Sequence, residues 1–174
     1  FNWKPYVLTV KEGFYPTKDL SLLKEIPAEV EITRIRYFEP AFWFKFKYWQ
    51  SFLAYLIYPL FLIPDRQILW FYPAIIAAYK IIKKQKIKIL LTTSAPKSDH
   101  LIGLTLKKIT GVKWIADFRD EWANNPLKKY PTPVHHYLNQ FLEKKVIKNA
   151  DQVITVSEPI TEYLKNLSTD KKKF

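Results

Sequence analysis

The chain has 174 residues, 48% of them hydrophobic and 17% aromatic, which is enough apolar material for one well-buried domain and too little length for two. It contains no cysteine, which excludes disulfide frameworks, thiolate zinc sites and cysteine nucleophiles and makes a cytoplasmic setting the expectation. Lysine and arginine number 28 against 16 aspartate and glutamate, a formal charge of +12 that favours anionic partners without choosing among phosphates, anionic headgroups and nucleic acid.

In chain order, Tyr6-Val7-Leu8-Thr9-Val10 is a short β-branched and aromatic run, and residues 29–37 alternate apolar with polar, so both read as strands. Asp19 to Leu23 offers only a helical turn or two. Ile75, Ile76, Tyr79 and Ile82 recur at helical spacing, and Pro73 is tolerable only in a first turn, so that helix is expected to start near Phe71.

Residues 87–93 then read as a strand. Ser98 is expected to cap a helix that runs through Thr110 and ends at Gly111. A further strand covers 113–117, a proline-bearing loop leads to a helix over about 134–148, a strand covers 152–156, and Ser157 caps a last helix. Strands alternating with helices of this length predict an α/β fold: a Rossmann-like, doubly wound, mostly parallel sheet with helices on both faces.

The segment from Ala41 to Pro64 breaks the pattern. It is dense in aromatics and carries two lysines, but its apolar part is only about a dozen residues with Pro59 inside, too short and broken to span a bilayer. Trp43, Phe44, Lys45, Lys47 and Trp49 have the mix that an interfacial element presents to headgroups and acyl chains. A core-covering insertion, or a crossover helix packed on the sheet, accounts for the same segment equally well.

Ligands of open α/β sheets bind at the carboxyl ends of the strands. After the 87–93 strand, Ser94, Lys97 and Ser98 together with free backbone N–H groups at the helix start would suit a phosphate or a sugar hydroxyl, and His100 in the first turn could bond a hydroxyl. For Ser98 a capping role is sufficient by itself, and a lone histidine is more often structural. After the 113–117 strand, Asp117, Phe118, Arg119, Asp120, Glu121 and Trp122 place four charges beside two aromatics, a density that is costly to bury unless paired or used. The carboxylates could accept from sugar hydroxyls, Arg119 could contact an anion and Trp122 could offer a stacking face, or Arg119 and its flanking aspartates could form an internal lock. Ser157 and Glu158 after the last strand form a weaker pair, explained as well by a helix start. These groups, Asp117, Arg119, Asp120, Ser94 and His100 above all, are expected to line one cleft.

Trp3-Lys4-Pro5-Tyr6-Val7-Leu8-Thr9-Val10, Pro64-Asp65, Trp70, Pro73-Ala74, Thr93-Ser94-Ala95-Pro96, His100-Leu101-Ile102-Gly103, Trp114-Ile115-Ala116-Asp117-Phe118-Arg119-Asp120-Glu121-Trp122, Leu142-Glu143-Lys144 and Ala150-Asp151 resemble the N-terminal domain of bacterial family-four glycosyltransferases. The Asp-Phe-Arg-Asp-x-Trp stretch is the most specific part, and Glu121 departs from it by standing where the family carries proline. The resemblance implies half of a GT-B fold, in which two Rossmann-like domains face each other, the nucleotide-sugar sits mainly in the C-terminal one, and metal is generally not needed.

On that basis residues 1–168 are expected to form the acceptor-side domain, with an insertion at 41–63, and residues 169–174 to begin a linker or tail. The nucleotide-sugar-binding domain would lie outside the chain. The resemblance also implies a first strand and a glycine-rich loop upstream of Trp3, with that strand at the centre of the sheet. Asp117, Arg119 and Asp120 become the candidate catalytic residues. Ser94, Lys97, Ser98, His100, Trp122, Ser157 and Glu158 become candidate substrate contacts. No cofactor or metal is expected, the nucleotide-sugar being a substrate, and the partners are that donor, a sugar or lipid-linked acceptor and an anionic membrane surface on the cytoplasmic side.

Three other functions share parts of this pattern. A nicotinamide dehydrogenase needs a glycine fingerprint that the three glycines do not make. A nucleic-acid module would match the charge, but the lysines are scattered and no helix-turn-helix or RNA-recognition signature is visible, so no nucleic acid is expected as a partner. A non-catalytic membrane-docking domain of a polysaccharide-assembly complex keeps the fold without the activity.

Overall fold

A computed structural model describes residues 3–11, 19, 21–36 and 62–174. Strand β1 (Tyr6–Val10) pairs in parallel with β2 (Glu31–Ile35), from Tyr6 opposite Glu31 to Val10 opposite Ile35. Strands β3 (Ile89–Ser94), β4 (Lys113–Phe118) and β5 (Gln152–Thr155) form a second parallel sheet in that order. Parallel neighbours need crossover connections, and helices supply them. Helix α1 (Phe71–Gln85) precedes β3, α2 (Ser98–Thr110) joins β3 to β4, α3 (Pro133–Asn149) joins β4 to β5, and α4 (Glu158–Leu167) follows β5. Short 3-10 turns at Ser21–Glu25 and Arg66–Trp70 complete the regular structure of the described residues, and the second was not foreseen from sequence.

The local signals explain these boundaries. Pro73 lies in the first turn of α1, where its missing N–H removes no helical bond. Gly111 ends α2 at φ 73°, in the left-handed region that costs glycine nothing, and its N–H reaches the Lys107 carbonyl at 2.8 Å. Within α2, a Cβ on Gly103 would run into the Trp114 indole, so this glycine lets the helix lie close on β4.

Strand alternation then decides what is covered. Trp114, Ala116 and Phe118 of β4 point to one face and form a core with Leu104 of α2, Val146 and Ile147 of α3 and Leu164 of α4. A second core joins Ala74, Ala78 and Ile82 of α1 to Ile102 and Leu106 of α2, with Leu8 and Val10 packed against it. The opposite face, carrying Leu91, Ile115 and Ile154, has no helix over it among the described residues, and Leu91 is 58% exposed. Between the two sheets lies a cleft of about 1020 Å³ lined by residues that include Tyr6, Leu8, Leu90, Ile102 and Leu106. Among the described residues, β1 bonds only to β2 and β3 only to β4, so each presents a free edge.

Residues 169–174, expected to begin a linker or tail, fold back on the domain. The Lys173 carbonyl accepts the Val153 N–H at 2.8 Å, and its buried ammonium donates to the carbonyls of Ile147 at 2.6 Å and Lys148 at 3.3 Å, at the end of α3. A cation there satisfies helix carbonyls that have no partner within the helix.

Candidate functional site

Because β3 and β4 are parallel and in register, their carboxyl ends open on one edge, with Thr93 opposite Asp117 and Ser94 opposite Phe118. Successive side chains alternate across the sheet, so the expected site residues separate into two groups. This corrects the expectation of a single cleft.

On the open face, the Thr93 hydroxyl donates to Asp117 Oδ2 at 2.9 Å, and Arg119 Nε lies 3.5 Å from the same oxygen. The Asp117 side chain is 17% exposed and that of Arg119 67%. The carboxylate is thus anchored and largely covered, while the guanidinium meets it only through Nε among the described residues and is otherwise exposed. Asp120 takes no part in this ion pair; its side chain is exposed, and its main-chain carbonyl belongs to the other group.

On the covered face, Asp65 organises the start of α2. Its Oδ2 accepts the backbone N–H groups of Lys97 at 2.6 Å and Ser98 at 3.0 Å. Two sequence expectations are thereby corrected. Ser98 is not the cap, since it lies inside the first turn with its hydroxyl buried and unpartnered, and the cap is the distant carboxylate. The two N–H groups expected to cradle a phosphate are already bonded to an anion, and a second negative charge beside Asp65 would be repelled.

The buried Lys97 ammonium donates to Ser94 Oγ at 3.3 Å and to the Asp120 carbonyl at 3.2 Å, tying the β3 and β4 loops together. Burial lowers its pKa, against the attraction of Asp120 and other carboxylates. His100 is fully buried against Phe118, with ring centroids 4.5 Å apart. Its Nδ1 is 2.8 Å from the Thr92 hydroxyl, which also accepts the Trp114 indole N–H at 2.9 Å. Burial, and secondly the charge of Lys97, hold the imidazole down to about 3, so the ring is neutral. The structure thus gives His100 a scaffold position rather than the solvent-facing one expected of a substrate contact.

Trp122 is corrected in the same way: no exposed ring face is left for stacking on a sugar. Its indole N–H donates to Asn139 Oδ1 at 2.7 Å and its backbone N–H to Glu143 Oε1 at 3.2 Å. Tyr163 donates to the other Glu143 oxygen at 2.8 Å, and the Tyr130 hydroxyl reaches the Trp122 carbonyl at 3.1 Å. Lys128 joins the Pro64 carbonyl to Asn139 Oδ1, at 3.3 Å each. The loop after β4 is therefore bolted to α3 by its tryptophan, and its charged tip is left outside.

Ser157 and Glu158 stand at the same edge after β5, exposed, with Ser157 at the N-cap position of α4 but making no side-chain cap bond. They share no hydrogen bond with Asp117 or Arg119. Trp43, Phe44, Lys45, Lys47 and Trp49 lie outside the described residues.

Sequence reasoning missed Thr93, Asp65, Asp99, Lys128, Asn139 and Glu143. Asp99 lines the cleft between the sheets, and its carboxyl is pushed up to about 7 by burial first and by Asp65 second, against a weaker pull from the Trp70 indole. Among the described residues, the buried side-chain polar atoms without a hydrogen-bond partner (Asp65 Oδ1, Trp70 Nε1, Ser98 Oγ, Asp99 Oδ1 and His100 Nε2) belong to the first turn of α2 or to the 65–70 segment. Among the described residues no group of three histidine, aspartate or glutamate side chains gathers as a metal site, and no helix is long and apolar enough to cross a membrane.

Comparison with known families matches residues 30–174 to the model of glycosyltransferase family 4. The matched stretch takes in all of the site described above and also the aromatic segment at 41–63. No curated protein shows a significant match to the chain.

Proposed function

The chain belongs to glycosyltransferase family 4, and from that premise we propose that it forms the acceptor side of an enzyme moving a sugar from a nucleotide-sugar to a cell-envelope or polysaccharide acceptor. The observation that carries this reading is the Thr93–Asp117–Arg119 arrangement at the carboxyl edge of the open sheet, the edge at which this class of sheet binds ligands.

Thr93 and Arg119 both engage Asp117 Oδ2, which leaves Oδ1 to accept a hydrogen bond from an acceptor hydroxyl and so to orient its oxygen. Arg119 keeps its terminal nitrogens for an anionic group, a donor phosphate or the phosphate of a lipid-linked acceptor. Charge developing on the departing nucleoside diphosphate is stabilised by fixed positive groups, to which Arg119 contributes from this side and a separate nucleotide-sugar-binding domain from the other. Lys97, His100 and Trp122 act behind the surface in this reading: they fix the loops from which Asp117 and Arg119 project. The nucleotide-sugar is a substrate and no resident cofactor is invoked. The reaction is placed on the cytoplasmic side, at the inner face of the membrane, where a lipid-linked acceptor would present its headgroup.

The test is turnover by the natural protein that carries this chain, offered a panel of nucleotide-sugars with membrane extract as acceptor, beside Arg119→Ala. Donor-dependent transfer that the variant loses supports the class and the site together. A folded protein that turns over no donor overturns the enzymatic reading in favour of a docking domain.

A further inference from the structure

Helix α3 changes character along its length. Over its first three turns the residues it turns inward are polar, His135, Asn139 and Glu143, four apart and all buried, and only then do Val146 and Ile147 join the apolar core. Asn139 and Glu143 are held there by Trp122 and Tyr163. Helical geometry then sends the intervening positions outward. Val134, Tyr137, Leu138 and Phe141 fall at i, i+3, i+4 and i+7, and all four are exposed, Val134 by 63% and Tyr137 by 67%. The same stripe continues into Lys144, Lys145 and Lys148, also exposed, with the Lys145 ammonium 5.5 Å from the Phe141 ring centroid. The only acid on the helix, Glu143, is buried on the other side. In the loop before the helix, Leu127 is 91% exposed and is followed by Lys129, also exposed.

A contiguous apolar stripe of this kind marks an interaction surface, and its chemistry selects the partner. The apolar half and the cationic half lie on one face and in line, over roughly 20 Å of helix at 1.5 Å per residue. No anionic side chain of the helix interrupts them. A protein partner would need a matching acidic, apolar groove, whereas an anionic bilayer presents apolar depth and negative phosphates side by side. The open sheet face with Leu91 and Ile154 is also apolar, but it has no such row of lysines.

We propose that the outward face of α3 docks on an anionic membrane surface, with Tyr137, Leu138 and Phe141 in the acyl boundary and Lys144, Lys145 and Lys148 at the headgroup phosphates. The stripe is made of none of the residues at 41–63, and it depends on the function proposed above only for its cellular setting.

The experiment is co-sedimentation of the natural protein with phosphatidylcholine vesicles with and without phosphatidylglycerol, and it reads no turnover, so its failure leaves the transferase reading standing. Binding is expected only where phosphatidylglycerol is present. Phe141→Ser should lower the partition about tenfold, and Lys144→Gln and Lys145→Gln roughly fivefold each, while Leu91→Ser on the open sheet face leaves it unchanged. Circular dichroism on each variant checks that the fold is kept. Equal binding to neutral vesicles overturns the proposal, as does wild-type partition of folded Phe141→Ser with folded Lys144→Gln. Loss of binding through Trp43→Ser with Trp49→Ser but not through Phe141→Ser places the anchor elsewhere and also overturns it. So does a self-associated protein in vesicle-free solution that Phe141→Ser converts to monomer, since the face would then belong to a second copy.

Discussion

Asp65 and Ser98 stand 33 residues apart, yet Asp65 Oδ2 accepts the Ser98 backbone N–H at 3.0 Å, and the Lys97 N–H at 2.6 Å, closing the start of α2 from outside the helix. The same helix carries Asp99, whose carboxyl is raised by burial first and by Asp65 second, so the capping carboxylate also acts on the charge of the turn it holds. Asp65→Ala is expected to lower the unfolding free energy by about 1–2 kcal/mol, the usual worth of an N-cap, and Asp65→Asn by less because an amide oxygen can still accept. Urea unfolding of the two variants against the parent measures both. Equal stability of Asp65→Ala and the parent would mean that the cap contributes nothing.

Asp99 should make stability fall as pH rises. Its carboxyl is held up to about 7, by burial and by Asp65, so the folded chain keeps a proton that the unfolded chain releases near its ordinary value of about 4. Where the native state binds more protons, unfolding free energy declines with pH, here between about pH 4 and about pH 7, and levels above that window. Asp99→Asn removes this slope. Relative to the parent it should gain stability at about pH 8 and gain little at about pH 4, as read from urea midpoints at the two values. A gain of the same size at both would show that the carboxyl is not the source.

Glu143 serves two donors at once, the Trp122 backbone N–H and the Tyr163 hydroxyl, from a buried position. Removing the acceptor strands both. Glu143→Ala is expected to cost about 3 kcal/mol, mostly through the unpaired buried donors, and Glu143→Gln to recover part of that by keeping one oxygen in place. Thermal unfolding of the pair decides this, and a Glu143→Ala protein as stable as the parent would remove the carboxylate from the account of the loop.

Lys173 closes the opposite end of α3, donating to the Ile147 and Lys148 carbonyls while its own carbonyl holds the β5 edge at Val153. Lys173→Met keeps the stem and removes the donors, and should cost about 1–2 kcal/mol. Hydrogen exchange gives the clearer signature: amides in the last turn of α3 should exchange faster in the variant, with those of α1 unchanged.

Much of the frame was legible because it rests on local signals. Gly111, Pro73 and the alternation of β-branched runs with helical periods located α1, α2, β3, β4 and β5 to within a residue or two. What escaped was set by contacts distant in sequence. Nothing near Ser98 announces that its N–H is served from Asp65, so the local cap signal pointed to the wrong oxygen. Helical periodicity in α3 reveals two unlike faces but does not say which turns inward, and here the polar one does because Trp122 and Tyr163 bring it donors. At the site, the density of chemistry after β4 was visible, but a strand sends neighbours to opposite faces. Asp117 therefore shares its surface with Thr93, which the sequence did not single out, and is separated from Ser94 and His100.

Orientation of the acceptor hydroxyl by Asp117 is the step on which the proposed sugar transfer depends. It is tested most directly by steady-state transfer in the natural protein with Asp117→Asn, measuring kcat/KM for the acceptor and for the nucleotide-sugar separately. Loss of an orienting contact to the reacting hydroxyl should lower kcat/KM for the acceptor by about a hundredfold and leave donor binding, followed by equilibrium titration with the nucleotide-sugar, unchanged. Wild-type transfer by a folded Asp117→Asn protein, or a defect confined to donor binding, would contradict it.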